Sequence, residues 1–208
     1  MRILTTAAAT LGLALCGQFA FAQTLVPAGP AAPLTKIRGS VASIGGGTLT
    51  VTSNAGQTVA VALPPDTTIV ALTAGTLDQV KPGSFIGTAA RSQPDGTLQA
   101  IEVQVFPESM RGAGAGSHPY DLGAGSSMTN GTVGQLVGTS GRTMTVTFPG
   151  GERTVVVPPD APVVDFAPGT AAQLTPGAHV IVNAGPGGAG ALSAKFVLVG
   201  LNGLVPPL

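Results

Sequence analysis

Cysteine, tryptophan and charged residues are scarce in this chain of 208 residues. It contains one cysteine and no tryptophan, and only 9% of its residues are charged. So little cysteine excludes a disulfide framework and a thiolate metal site, because both need several cysteines. Aromatic residues at 4% argue against a stacking platform for bases or sugars. A formal net charge of zero without clustered Lys or Arg argues against nucleic acid or anionic membrane surfaces as partners.

Long apolar runs are absent except at the N-terminus. A positively charged start precedes an Ala/Leu-rich run over residues 3–15, and Ala20-Phe21-Ala22 follows as a small-x-small cleavage site. We therefore predict a signal peptide over residues 1–22, cleaved after Ala22, and a periplasmic or secreted bacterial protein. The alternative, lipoprotein anchoring at Cys16, is disfavoured because a bulky leucine precedes Cys16 where lipoprotein signals carry a small residue. No later run approaches the roughly 20 residues of a spanning helix.

Glycine and proline are abundant, with 31 and 18 residues. Together with low charge and frequent Val, Ile, Leu and Thr, they predict packed short strands joined by many turns rather than disorder. Alternation of apolar and polar residues marks the strands, for example over residues 48–52. In a later strand, Leu98, Ile101, Val103 and Val105 mark the predicted buried face, and the slip of alternation between Leu98 and Ile101 predicts a β-bulge. The only helix-like stretches are residues 75–80 and 169–174, about one turn each.

The same order of signals occurs twice along the chain. Gly39-Ser40-Val41 and Pro64-Pro65-Asp66 recur about 94 positions later as Gly131-Thr132-Val133 and Pro158-Pro159-Asp160. A period of this kind indicates duplicated modules. About six short strands in roughly seventy residues are typical of a small, bent barrel.

We therefore predict an all-β protein made of two tandem small β-barrel (OB-like) modules of about six short strands each. The predicted divisions are a signal peptide (1–22), a Pro/Ala-rich tether (23–36), a first module (37–107), a Gly-rich linker (108–128) and a second module (129–208). Small modules bury little apolar surface, so docking of the two copies is expected to add stability.

The two modules resemble the DUF5666 family of small bacterial domains. The resemblance rests on the Gly39 opening strand, the segment Thr48-Leu49-Thr50-Val51, the Pro82-Gly83 turn and the hairpin at Pro94-Asp95-Gly96. It covers residues 37–106 best. The resemblance implies export and a small β-domain, and it implies no particular chemistry.

The linker contains the densest group of chemically versatile side chains. Arg111, His118, Tyr120 and Asp121 fall within eleven residues, whereas a plain spacer needs only Gly, Ser and Pro. Two interpretations are open. The four residues could form a contact surface for a partner or ligand, since Arg and Tyr are enriched at binding hot spots. The sequence favours the other interpretation, in which they fix the linker against the barrels.

Motifs for catalysis or cofactor binding are weak. His118 with Asp121 supplies too few ligands for a closed metal site, and His179 is expected in a strand. Residues 185–190 match G-x-G-x-x-G, but a strand rather than a helix follows, so a hairpin loop is predicted. Asp66 and Asp160 follow Pro-Pro pairs and are typical of turns. We predict no catalytic, cofactor or metal residues and no enzyme.

The functional prediction is an exported, non-enzymatic protein that acts as a binding or scaffolding module. Contacts would lie on loops and sheet edges, where an extended segment of an envelope protein or peptide could add as a strand. The alternative is a carrier of a small ligand or metal ion that uses the linker and the cleft between the modules.

Overall fold

The computed structural model of this chain describes residues 34–137 and 142–207. The predicted signal peptide, Cys16 and nearly all of the tether lie outside the described residues. The first repeat has six strands, the number predicted: β1 (Thr35–Gly45), β2 (Thr48–Ser53), β3 (Thr58–Ala62), β4 (Thr68–Ala74), β5 (Phe85–Ser92) and β6 (Leu98–Val105). The chain is therefore all-β in this half, and the second half repeats the pattern.

A four-residue strand, β7 (Gly116–Pro119), precedes the second repeat. That repeat comprises β8 (Ser126–Val137), β9 (Thr143–Phe148), β10 (Gly151–Val156), β11 (Val163–Pro168), β12 (His179–Pro186) and β13 (Leu192–Gly200). Residues 108–128, predicted as a Gly-rich linker, contain β7 and the start of β8. Backbone hydrogen bonds of β7 to β8 bring this segment into the sheet although its side-chain pattern lacks strand periodicity.

Two local predictions are confirmed, the helix-like turns and the bulge. Short 3-10 turns occur at Leu77–Gln79 and Ala171–Gln173, inside the two predicted helix-like stretches. Each turn follows an N-cap threonine, and a glutamine three residues after that threonine completes a capping box. The same local chemistry therefore acts in both repeats. The bulge predicted near residue 101 is present, because Ala89 pairs with Glu102 and Ala90 pairs with Ala100, which leaves Ile101 unmatched.

Two five-stranded barrels are closed by strands taken from both repeats. The first barrel consists of β1, β2 and β3 with β12 and β13, since β12 pairs with β1 and β13 pairs with both β12 and β3. The second barrel consists of β8, β9 and β10 with β5 and β6 in the equivalent pairings. Each barrel therefore combines the first three strands of one repeat with the last two of the other.

β4 and β11 join the two barrels. β4 runs parallel to β13, β11 runs parallel to β6, and β4 pairs antiparallel with β11. Leu72 lies opposite Phe166, its own counterpart in the other repeat. The two repeats are therefore related by a local two-fold axis that passes through this pair. The arrangement is that of a symmetric dimer whose two subunits have been fused.

Division of the chain into two tandem, separate modules is not confirmed. The described residues belong to one compact unit, and all their strands form one connected sheet. The repeats were correctly recognised from turns and strand patterns, which are local. Pairing between distant strands is not encoded in such local signals, so the exchange of strands was not predicted.

Each barrel encloses its own apolar core, and a third cluster fills the space between them. Val51, Val61 and Val182 are fully buried in the first barrel, as are Met144 and Val146 in the second. Burying one such side chain contributes about 1.5 to 3 kcal/mol. The third cluster includes Leu72, Phe166 and Leu198, with partly buried groups such as Phe196 and Tyr120 packed against it.

Close strand crossings explain the glycine that opens each repeat. A Cβ on Gly39 would collide with the backbone oxygen of Thr52, and a Cβ on Gly131 would collide with that of Thr147. The two glycines occupy equivalent places in β1 and β8. The recurring Gly-x-Val pattern is therefore required by the fold.

Within residues 34–137 and 142–207, no helix is both long and apolar enough to cross a membrane.

Candidate ligand cavity

A cavity of about 350 Å³ lies over the third apolar cluster, close to the local two-fold axis that relates the repeats. Its volume is at the lower end of the roughly 300–1,000 Å³ of small-molecule sites. The cavity is lined by four aromatic residues, four aliphatic or methionine residues, four polar residues and two small ones: Phe106, Tyr120, Phe166, Phe196, Met110, Met128, Ile181, Leu198, Lys36, Gln104, Asn130, Asn183, Ala113 and Gly114.

Aromatic side chains are concentrated at this cavity. Four of the six aromatic residues in the described part of the chain line it. The ring of Phe106 is tilted against that of Phe166 at 4.9 Å between centroids and contacts Phe85 edge-on at 5.4 Å. The large, rigid rings of these aromatic residues therefore provide much of the apolar surface of the cavity.

One wall is formed by residues 107–125, which we call the strap. Its β7 pairs with β8, and the Tyr120 N–H donates to the Ser126 carbonyl oxygen at 2.9 Å. The Ser126 hydroxyl is 2.7 Å from the carbonyl oxygens of both Tyr120 and Gly123. At its start, Arg111 donates to the Gly83 carbonyl oxygen at 3.0 Å and pairs with Glu108. The strap is therefore held at both ends.

Tyr120 and Asp121 attach the strap to β1 through a group that we call the latch. Lys36 Nζ lies 2.9 Å from Asp121 Oδ1 and 4.0 Å from the centre of the Tyr120 ring. Arg38 Nη2 lies 3.1 Å from Asp121 Oδ2. Partial burial by itself raises the pKa of Asp121, but hydrogen bonds and charges from Lys36 and Arg38 outweigh it and leave that pKa lowered.

The four residues predicted as a contact group have different placements. Tyr120 lines the cavity, and Asp121 joins it in the latch. Arg111 anchors the start of the strap. His118 is exposed on β7, with its ring over Gly116, and is not among the lining residues. The structure therefore joins two of the four at one place, together with Lys36 and Arg38, which the sequence did not single out.

The wall that contains Gln104 adjoins a buried carboxyl group, that of Glu102, which sequence reasoning missed. Glu102 is 0% exposed and Gln104 is 5% exposed, although strand alternation predicted the face of Ile101, Val103 and Val105 as the buried one. The Gln104 amide nitrogen donates to Glu102 Oε1 at 2.9 Å. Burial raises the pKa of Glu102 to about 7, and this hydrogen bond offsets only part of the rise.

Two polar atoms near this wall have no hydrogen-bond partner among the described residues: Glu102 Oε2 and Asn130 Oδ1. Asn130 donates through its nitrogen to the Ala113 carbonyl oxygen of the strap at 3.2 Å. Unpaired buried acceptors cost about 1 to 3 kcal/mol each, more when charged. Native proteins rarely keep such atoms without a structural or functional reason.

The two repeats differ at this cavity. Gln104 pairs with Gly87 in the second barrel, whereas the equivalent pair in the first barrel is Leu198 with Ile181. Glu102 likewise corresponds to Phe196, since they pair with Ala89 and Asn183 in the same register. At these two positions of the last strand, the second barrel therefore has polar side chains and the first barrel apolar ones. Comparing the repeats position by position in the sequence could have revealed this difference.

The residues considered in the sequence for metal binding or catalysis, His118, His179, Asp66 and Asp160, are not among those that line the cavity. Among the described residues, no group of three or more His, Cys, Asp or Glu side chains is placed to hold a metal ion. Asp66 and Asp160 are exposed in turns. The motif at residues 185–190 joins β12 to β13 as a hairpin with a single 3-10 turn, as predicted.

Comparison of the chain with protein-family models, curated proteins and solved structures gave no match.

Proposed function

We propose that this chain is an exported, non-enzymatic binding protein that holds a small, largely apolar molecule in the cavity beneath the strap. The observation that carries the proposal is the cavity itself, where most of the aromatic residues of the described chain meet the polar side chains of Gln104, Asn130 and Asn183. Apolar walls with a few placed polar groups are the usual composition of small-molecule sites. The proposal keeps the predicted binding role and adopts the small-ligand alternative.

Strand addition at a sheet edge is less well supported than a ligand in the cavity. Closure of the two barrels pairs β1, β5, β8 and β12 on both sides, which protects these strands from further pairing. β7 pairs with β8 alone, but it has four residues and ends at Pro119. So short a strand ending in proline offers little backbone to an added partner strand.

Binding rather than catalysis is supported by what the walls present. The lining supplies hydrophobic surface, the amide groups of Gln104, Asn130 and Asn183, and the ammonium of Lys36, which Asp121 already pairs. Such groups orient and retain a molecule. The export signal predicted over residues 1–22 would place this binding activity in the periplasm or outside the cell.

The proposal is tested with N-phenyl-1-naphthylamine, a neutral apolar dye whose emission rises in apolar sites. The mature protein should bind it saturably, and Met128→Trp should weaken that binding at least about tenfold. Met128 lines the cavity, so the larger indole fills the space that the dye needs. Titration of the dye, excited directly rather than through tryptophan, gives both dissociation constants.

A matched control separates the cavity from the general surface. Ile44→Trp introduces the same side chain at an exposed site in β1, where Ile44 is 39% exposed, and should leave dye binding unchanged. Leu198→Phe provides a second filling variant. The proposed function is contradicted if the wild type does not bind the dye. It is also contradicted if both filling variants bind the dye as tightly as the wild type does.

A further inference from the structure

A row of three paired residues forms one wall of the cavity. Lys36 on β1 lies opposite Asn183 on β12, which lies opposite Phe196 on β13. All three line the cavity. Residues paired in this way lie on one face of the sheet, with about 5 Å between the Cβ atoms of neighbouring strands. The wall therefore presents a cation, an amide and an aromatic ring in that order.

The next row along the same strands has a similar order. Arg38 pairs with Ile181, which pairs with Leu198. The equivalent rows of the second barrel begin with Met128 and Asn130 on β8, neither of which is charged. The positive charge is therefore found on the β1 side, and the first barrel offers an apolar surface next to it on β13.

The latch leaves this side of the cavity with a surplus of positive charge. Lys36 and Arg38 share the single carboxylate of Asp121, at 2.9 and 3.1 Å. Within residues 34–137 and 142–207, neither cation is paired with a second carboxylate. Of the described residues that line the cavity, Lys36 alone is charged. A ligand with one negative charge would balance the surplus.

The donors beside this surplus suit a carboxylate. The Lys36 ammonium has three N–H donors; Asp121 accepts from one of them at 2.9 Å. The Asn183 amide adds further N–H donors in the same row. One oxygen of a carboxylate can therefore accept from the ammonium and the other from the amide, whereas an alcohol brings a single oxygen and no charge. Hydrogen bonds between charged groups are about twice as strong as those between neutral groups.

We propose that the cavity binds an apolar molecule bearing one carboxylate, which is held by Lys36 and Asn183 while its apolar body extends towards Phe196. This inference rests on the proposed function, since it names the ligand class of the same cavity. Asp121 competes with the ligand for the cations, and Arg38 supplies the charge that Asp121 would otherwise cancel. Removing Asp121 and removing Arg38 should consequently have opposite effects on carboxylate binding.

The test compares 4-phenylbutanoate, 4-phenylbutan-1-ol and 4-phenylbutylamine, which have the same apolar body and different head groups. Each probe is titrated against N-phenyl-1-naphthylamine bound to the mature protein at pH 6. The acid is ionised at this pH, and Glu102 is mostly neutral because burial raises the pKa of Glu102 to about 7. The carboxylate should bind at least about tenfold more tightly than the alcohol, and the ammonium most weakly.

Two variants of the latch separate its charge from its structural role. Asp121→Asn removes the competing carboxylate, so it should raise the preference for carboxylate over alcohol by about threefold or more. Arg38→Gln leaves Asp121 to Lys36 alone, so it should reduce that preference to about twofold or less. Both variants weaken the same contact between the strap and β1. If the latch acts only by holding the strap, they should shift the preference in the same direction.

Lys36→Met removes the charge from the cavity itself and should abolish the preference. Lys81→Met is the matched control, because it makes the same change at an exposed residue that precedes β5, and it should leave the preference unchanged. If Lys36→Met does not fold, the two latch variants decide.

Three results overturn this inference and leave the proposed function standing if the dye binds. The wild type could bind the alcohol as tightly as the carboxylate, the preference could persist in Lys36→Met, or both latch variants could shift it in the same direction. If neither the dye nor any of the three probes binds, the proposed function itself fails.

Discussion

Among the described residues, Glu102 is the one buried acidic or basic side chain, and its burial is costly to the fold. Its carboxylate is buried in β6 with one hydrogen bond, from Gln104. A raised pKa for an acid means that folding favours its neutral form. Stability from this group is therefore fully present below the unfolded pKa near 4.5, falls between pH 4.5 and 7, and stays reduced above the folded pKa of about 7.

We expect Glu102→Gln to stabilise the protein at pH 8 by about 1 to 3 kcal/mol relative to the wild type, because a rise from 4.5 to about 7 corresponds to roughly 3 kcal/mol. At pH 4.5 the difference should nearly vanish, since the wild-type carboxyl is then neutral in the folded protein. Urea unfolding of both proteins at the two pH values measures it. An equal difference at both pH values contradicts the burial of an ionisable Glu102.

At the scale of elements, the strap is attached to the sheet along one strand only. β7 pairs with β8 alone, and the latch adds the Asp121 contacts to Lys36 and Arg38. Ion pairs at a partly exposed surface contribute about 0 to 1 kcal/mol. The latch should consequently govern local opening of the strap more than global stability.

Asp121→Asn should lower global stability by less than about 1 kcal/mol while speeding amide hydrogen exchange in residues 116–122. The amide of Tyr120, bonded to Ser126, is the most informative reporter, and hydrogen exchange followed by mass spectrometry measures it. Glu108→Gln is the matched control, because it removes the ion pair with Arg111 at the other end of the strap. If Asp121→Asn leaves the rate of amide hydrogen exchange in residues 116–122 unchanged, the latch does not hold the strap.

At the scale of the whole molecule, the two repeats are held together by exchanged strands rather than by docked surfaces. β1 lacks a partner on one side without β12, and β5 lacks one without β8. Either repeat alone would leave open sheet edges and half of a barrel core exposed. The stability of each barrel therefore depends on both halves of the chain.

We expect fragments 34–125 and 126–207 to show no cooperative unfolding as isolated monomers. Mixed in equal amounts, they should assemble into a one-to-one complex with a single cooperative transition, because the complementary strands then close both barrels. Circular dichroism and size-exclusion chromatography measure both states. Homodimers of a single fragment would also agree with strand exchange, since the repeats are equivalent. Two folded monomers, each with its own transition, would restore the tandem arrangement.

Part of the region around the cavity stood out in the sequence. Residues 111–121 drew attention because a plain spacer does not need Arg, His, Tyr and Asp; of these, Tyr120 lines the cavity and Asp121 pairs with Lys36, which also lines it. Their partners Lys36 and Arg38 are more than eighty positions away, and no periodicity connects segments so distant. Glu102 and Gln104 were missed because alternation identifies one buried face, whereas β6 is covered on both.

The sequence by itself determined the all-β class, the duplication, the turns and the bulge at Ile101. All of these follow from interactions between near neighbours: proline and glycine geometry, capping, and the two-residue period of strands. Only the tertiary structure decided which strands close each barrel and where the cavity lies. Equivalent strands in two similar repeats can pair within or between repeats with the same local chemistry, so burial and connectivity of the whole chain made that choice.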